Sequence, residues 1–221
     1  MRIVLAVVAA ALLSASAEAA QEARIDTSMG TIVIALDADK APATVANFVR
    51  YAKEGHFNGT LIYRVEAGYV LQMGSFGADR KWRETHKPIA LETASGLSNL
   101  RGAVAMARED KPTNSATAEF FINLADTNAH ALDAKPAAAP NTTGYAVFGH
   151  VTAGMDVVDA IAAVAVGHTK GPFPGKEPIK PIVIKKITIA VVPDAPRAAP
   201  AAVGAPDATA APAADPAAPA Q

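Results

Sequence analysis

Cysteine is absent from the 221 residues. Without it there can be no disulfide, no thiol nucleophile and no cysteine-ligated zinc, and the lack suits an oxidising compartment in which a stray thiol is a liability. Neither sign of charge prevails. Lys and Arg number 20 against 21 Asp and Glu, a net charge of −1 without the basic excess of nucleic-acid binders, so nucleic acid is not expected as a partner. The five histidines, His56, His86, His130, His150 and His168, never take the His-Glu-x-x-His spacing of a zinc hydrolase. No Gly-x-Ser-x-Gly elbow of a serine hydrolase occurs either. No metal or cofactor is therefore expected.

A membrane-spanning run is lacking at the start of the chain: Ile3 to Leu13 is an apolar stretch of 11 residues where a spanning helix needs about 20. That stretch follows the basic Met1-Arg2 and precedes Ala17-Glu18-Ala19, small residues of the kind a signal peptidase reads. Residues 1–19 are thus expected to be a cleavable export signal, with no stable membrane insertion after its removal. Residues 194–221 are mostly Ala and Pro, with six prolines and no aromatic side chain. Prolines at that spacing break each helical turn, so a disordered tail is expected there. The 172 residues between, 22–193, suit one domain.

Within that span, Arg24–Thr27 and Thr31–Leu36 are β-branched runs around Ser28-Met29-Gly30, the pattern of a hairpin. Pro42 fits a first helical turn, and Val45, Phe48, Val49 and Ala52 share a helical face before Gly55 ends the run. Short β-type segments follow at Leu61–Val65, Tyr69–Met73, Gly102–Met106, Glu119–Asn123 and Tyr145–Gly149. Many short strands divided by Gly, Asn and Pro predict a closed barrel. A second helix is predicted over Met155–Val164 and a last strand over Ile182–Val192. Residues 126–143, polar and Ala-rich, are expected to form a functional surface loop.

The run Leu61-Ile62-Tyr63-Arg64-Val65-Glu66-Ala67-Gly68-Tyr69-Val70-Leu71-Gln72-Met73-Gly74 resembles the cyclophilin segment in which an Arg precedes a Gly-aromatic pair and then Gln-x-Gly. The resemblance continues through Leu100–Arg108, through Asn114–Asn123, and through Tyr145–Gly149 followed by Gly154–Val158, all in the family's order. It implies a mainly β fold, a closed eight-stranded antiparallel barrel capped by two α-helices. The activity it implies is that of a peptidyl-prolyl cis-trans isomerase acting on proline-containing polypeptide clients. The resemblance of the Asn114 block to bacterial cyclophilins, the export signal and the missing cysteine together point to the periplasm, and a monomer is expected.

Rotation about an X-Pro bond is slow because nitrogen lone-pair conjugation gives a barrier of about 18–20 kcal/mol. A fixed cation donating a hydrogen bond towards the prolyl nitrogen favours the twisted state, while an apolar pocket holds the ring. Residue type alone favours a solvated, acid-paired role for Arg64; the resemblance makes it the catalytic cation. By strand alternation Arg64 is expected to share a face with Ile62 and Glu66, opposite Tyr63 and Val65. The resemblance makes Gln72 the second catalytic residue, its amide holding the substrate chain. It places Tyr69, Met106, Phe121 and Leu132 along the proline pocket, where packing alone would also explain them. Val70, Ala107, Arg108, Glu119 and Tyr145 complete the implied substrate-binding set.

Four positions depart from the family's common pattern. Glu119 stands where Gln is usual and could pair with Arg64. Arg108 replaces a small polar residue and brings a second cation to the groove edge. Ala131 and Tyr145 fall where many eukaryotic relatives carry Trp and His, which implies weak cyclosporin binding. A rival reading shares the whole fold: a Pro-peptide binding module or holdase with little turnover. Arg64 with Gln72 favours the enzyme, because gripping a peptide needs only the groove.

Overall fold

The computed structural model describes residues 20–135, 143–167 and 172–192; the expected export signal and Ala/Pro tail lie outside them. The strands are β1 (Gln21–Thr27), β2 (Thr31–Leu36), β3 (Thr60–Glu66), β4 (Val70–Gly77), β5 (Ala103–Met106), β6 (Phe120–Asn123), β7 (Val147–Ala153) and β8 (Val183–Val191). The helices are α1 (Pro42–Lys53), α2 (Asn128–Leu132) and α3 (Met155–Ala162), with a 3-10 turn at Thr93–Ser95. All strand pairs are antiparallel and close in the order β1-β2-β7-β5-β6-β4-β3-β8, the barrel that the sequence predicts.

The β1–β2 turn closes where the Thr27 N–H and hydroxyl both donate to the Gly30 carbonyl, at 2.9 and 2.7 Å. Gly30 has φ +143°, and a Cβ there would come within 2.8 Å of Val157 on α3, so α3 packs directly on this turn. Helix α1 instead leaves the barrel from the Leu36 end of β2, so α1 and α3 cover opposite mouths. Pro42 starts α1 without a local side-chain cap; Glu92, from a distant loop, accepts from the Ala43 and Thr44 N–H groups at 3.1 and 2.8 Å and does that work. Phe48 of α1 enters the core, its ring centroid 5.4, 5.3 and 5.1 Å from those of Phe57, Phe120 and Phe148. Cutting such a side chain to alanine costs about 3–5 kcal/mol.

The polar segment 126–143 contains α2, a third helix beyond the two that cap the barrel; residues 136–142 lie outside the described set. One turn of helix is too short to give a 3.6-residue pattern, which is why the sequence reads there as loop.

Strands β4, β5 and β6 are buried at every position, so both of their faces are covered. Leu71, Met73, Val104, Met106, Phe120 and Ile122 point into the main core, and the alternate residues Val70, Ala103, Ala105 and Phe121 build a second apolar cluster on the outside of the barrel wall. Among the described residues no helix is long and apolar enough to cross a membrane.

Candidate active site

The outer cluster is organised by register. Arg64 of β3 pairs with Gln72 of β4, Gln72 with Phe121 of β6, Phe121 with Ala105 of β5, and Ala105 with Val147 of β7. Directly paired residues of antiparallel strands share a face, so this single row carries the cation, the amide and the floor of an apolar pocket.

Arg64 reaches that face through a bulge. Between the pairs Ile62↔Met73 and Arg64↔Gln72, β3 advances two residues while β4 advances one, so Tyr63 is the extra residue. The bulge corrects the expectation from alternation. Ile62 and Val65 lie in the main core, while Tyr63 packs with Leu61 and Phe76 in a separate outer cluster and hydrogen-bonds to Gln72, on the side of Arg64.

A groove of about 260 Å³ runs along the row. Nine of the eleven residues singled out from the sequence line it: Arg64, Tyr69, Val70, Gln72, Ala107, Arg108, Phe121, Leu132 and Tyr145. Met106 and Glu119 do not. Met106 follows Val104 into the core by simple alternation, and Glu119 lies behind Gln72. The structure also corrects the pairing considered for Glu119: its carboxylate accepts from the Tyr63 hydroxyl at 2.5 Å and from the Ser75 N–H, and Arg64 takes Glu66 instead.

The Arg64 guanidinium is held from several directions. Nε and Nη2 donate to Glu66 Oε2 at 3.2 and 2.9 Å, and Nη1 donates to Gln72 Oε1 at 3.1 Å. Its plane centre lies 4.4 Å from the Phe173 ring and 5.5 Å from the Tyr69 ring. Three of the five guanidinium N–H groups are used in these bonds, leaving one each on Nη1 and Nη2 for another acceptor. Glu66 also meets Lys176 Nζ at 3.2 Å. Burial works to raise the Glu66 pKa, but the bonds from Arg64 and Lys176 outweigh it and hold the carboxyl below its ordinary value. The partner of the cation therefore stays ionised at neutral pH.

The far half of the groove is apolar. Phe121 meets Tyr145 edge to face at 5.6 Å, and α2 supplies Leu132. A buried amide network fixes these walls: Asn99 Nδ2 donates to the Leu132 and Tyr145 carbonyls at 3.2 and 3.3 Å and to Asp133 at 2.8 Å. Asn123 donates to Asn99 Oδ1 and the Ala103 carbonyl, and Asn128 donates to Asn123 Oδ1 at 2.9 Å and the Tyr69 carbonyl at 2.6 Å. Each of these buried amides has its partners, which makes the pocket a rigid form. At the end, Arg108 lies 4.9 Å from the Tyr145 ring and donates to the Gly144 carbonyl, the Glu109 carbonyl and the Thr143 hydroxyl. That edge cation is built into the wall.

The sequence reading missed Tyr63, Phe173, Glu66's grip on Arg64 and the asparagine network. Phe173 carried a signal, since it stands in Gly171-Pro172-Phe173-Pro174-Gly175, where prolines and glycines frame an aromatic side chain in a shaped loop. The loop is pinned to β3 because the Val65 N–H donates to the Lys176 carbonyl at 2.8 Å.

A closed eight-stranded antiparallel barrel with a cation and an amide beside an apolar pocket on its outer wall is the architecture of the cyclophilin fold. Residues 23–189 match the family described as cyclophilin type peptidyl-prolyl cis-trans isomerase/CLD. Peptidyl-prolyl cis-trans isomerase A of Dickeya dadantii is 45% identical over 165 residues, covering 75% of this chain and 82% of the relative. Peptidyl-prolyl cis-trans isomerase B of Escherichia coli is 40% identical over 163 residues, covering 74% of this chain and 96% of the relative. Among solved structures, a cyclophilin-type isomerase of Cryptosporidium parvum, crystallised in the presence of the dipeptide Ala-Pro, is similar with a TM-score of 0.62 at 22% identity, covering 76% of this chain and 98% of that one. The chain belongs to the cyclophilin-type peptidyl-prolyl cis-trans isomerase family, whose activity is rotation about the X-Pro peptide bond.

Proposed function

We propose that this chain is an exported prolyl isomerase that accelerates X-Pro rotation in proline-containing clients during their folding, acting as a monomer in the periplasm. The domain it uses is residues 22–193, with residues 1–19 as a cleaved signal and residues 194–221 as a tail. The proline ring enters the pocket of Phe121, Leu132 and Tyr145. The two unused N–H groups of Arg64 point the cation's charge at the prolyl nitrogen as it becomes pyramidal, and the second Gln72 Nε2 hydrogen holds the substrate carbonyl. The observation that carries this reading is the fixed Arg64 guanidinium, bonded to Glu66 and Gln72 and faced by Phe173 and Tyr69. A module that only grips peptide has no need of a cation held this tightly. The Ala-Pro dipeptide used with the Cryptosporidium relative supports a substrate of this class.

The test is the cis-to-trans rate of an Ala-Pro peptide in the cold, with the wild-type chain and with Arg64→Ala. Acceleration by the wild type that is largely lost in a folded variant supports the assignment. Peptide binding without acceleration by either protein overturns it in favour of the binding module.

A further inference from the structure

Behind the groove the hydrogen bonds form one directed chain. Arginine offers only donors, so the Gln72 atom facing Arg64 Nη1 at 3.1 Å is the amide oxygen. The opposite atom, Nε2, then donates to the Tyr63 hydroxyl oxygen at 2.8 Å. A phenol has one proton, and Tyr63 gives it to Glu119 Oε2. The other carboxylate oxygen accepts from the Ser75 N–H, and the room for it comes from Gly74, where a Cβ would lie 2.6 Å from Glu119 Oε1. Both oxygens of Glu119 therefore face donors. An ionised carboxylate satisfies that arrangement; a protonated one must give up a bond, because its own hydrogen points at a donor.

We propose that Glu119 is a positioning residue that, through Tyr63, fixes the orientation of the Gln72 amide and through it the Arg64 guanidinium, so that the groove is assembled with Glu119 ionised and loosens when Glu119 takes up a proton. The inference rests on the assignment of Arg64 and Gln72 as the substrate-handling pair, and it moves Glu119 from the substrate-binding set to the support behind it. With the proton on Glu119 Oε2, Tyr63 loses its acceptor. If its hydroxyl turns to Gln72 instead, the amide has to rotate and set its NH2 against the guanidinium, two donors face to face.

Burial raises the Glu119 pKa, with the Tyr63 and Ser75 bonds pulling the other way, which brings its titration nearer to neutrality. The groups facing Glu119 are few. From β3 come Tyr63, which burial and the Glu119 charge keep protonated, and Arg64 beyond Gln72. From β4 come Gln72 and Ser75, and the Ser75 hydroxyl is 2.9 Å from His56 Nε2. Burial and the nearby Arg83 lower the His56 pKa, so His56 is the group whose titration must be separated from that of Glu119.

The experiment follows kcat/KM of the full chain on an end-blocked Ala-Pro peptide from pH 4.5 to 8, alongside the Gln72 side-chain NH2 signals by NMR. The variants are Glu119→Gln, Tyr63→Phe, the two combined, and His56→Gln. Wild type is expected to lose about tenfold in acid, with a midpoint above the ordinary glutamate range and the Gln72 signals moving in step. Glu119→Gln and Tyr63→Phe are each expected to be about tenfold slower at pH 7.5, flat in acid, and no worse when combined; His56→Gln keeps the acid limb. An acid limb and a moving Gln72 signal that persist in Glu119→Gln overturn the inference and leave the isomerase reading standing. A wild type that accelerates nothing overturns the isomerase reading, and the Gln72 signals then still decide the positioning role.

Discussion

Replacing Phe173 with alanine removes the ring that lies 4.4 Å from the Arg64 guanidinium. Contacts of this kind are worth about 0.5–1 kcal/mol at exposed sites and about 2 kcal/mol when desolvated. The Arg64 side chain is 20% exposed, which puts the contact towards the upper end, about 1–2 kcal/mol. If that energy serves to hold the cation where the prolyl nitrogen arrives, its loss lowers kcat/KM by about 5- to 30-fold. Phe173 also stacks on Tyr63 at 6.0 Å, so alanine removes packing as well. Phe173→Leu separates the two effects, because leucine keeps apolar contact and offers no π face. Both variants are assayed on an end-blocked Ala-Pro peptide in the cold, with thermal midpoints measured beside them. Slow turnover in Phe173→Leu at an unchanged midpoint supports the argument; wild-type kcat/KM in that variant refutes it.

The asparagine network makes a stability prediction: Asn123→Ala removes the Asn123 donors from Asn99 Oδ1 and the Ala103 carbonyl and leaves Asn128 Nδ2 with the Tyr69 carbonyl alone, at about 1–3 kcal/mol for each group left unsatisfied. A loss of about 3 kcal/mol in denaturant unfolding is expected, and an unchanged midpoint would show that the network is not needed. His150 Nδ1 lies 3.6 Å from the Asp37 carboxylate, and this neighbouring acid raises the His150 pKa above 6.5 against the opposing effect of burial. Its contribution is therefore fully present below pH 6.5 and lost as pH rises through the raised value. His150→Gln is expected to flatten the stability curve in that window, and an unaltered slope would count against the pair.

The barrel was legible because β-branched runs, turn glycines and helical faces such as Val45, Phe48 and Ala52 all agree with it. The groove row was legible only through the resembling runs Leu61–Gly74 and Asn114–Asn123, since register across β3, β4 and β6 leaves no trace in composition. The bulge at Tyr63 was illegible for a plain reason: one extra residue in a strand costs no hydrophobic pattern at the strand's ends, yet reverses every side chain beyond it. Arg64 lines the groove with Glu66 beside it, as alternation predicts, while Tyr63 takes the side expected of Ile62. Glu119 showed itself as an unusual residue type, while its partner could be found only in three dimensions, 56 residues away at Tyr63.

The most direct test of the central claim is NMR exchange on a proline peptide at saturation, which reads cis–trans interconversion on the protein separately from binding. Arg64→Lys is the variant to compare with wild type, because it keeps the charge but loses the planar fork that Glu66 and Gln72 hold. Fast on-protein exchange is expected in the wild type, with a loss of at least tenfold in Arg64→Lys and peptide affinity little changed. Equal exchange rates in the two proteins would contradict that claim, because the fixed guanidinium would then have no part in lowering the barrier.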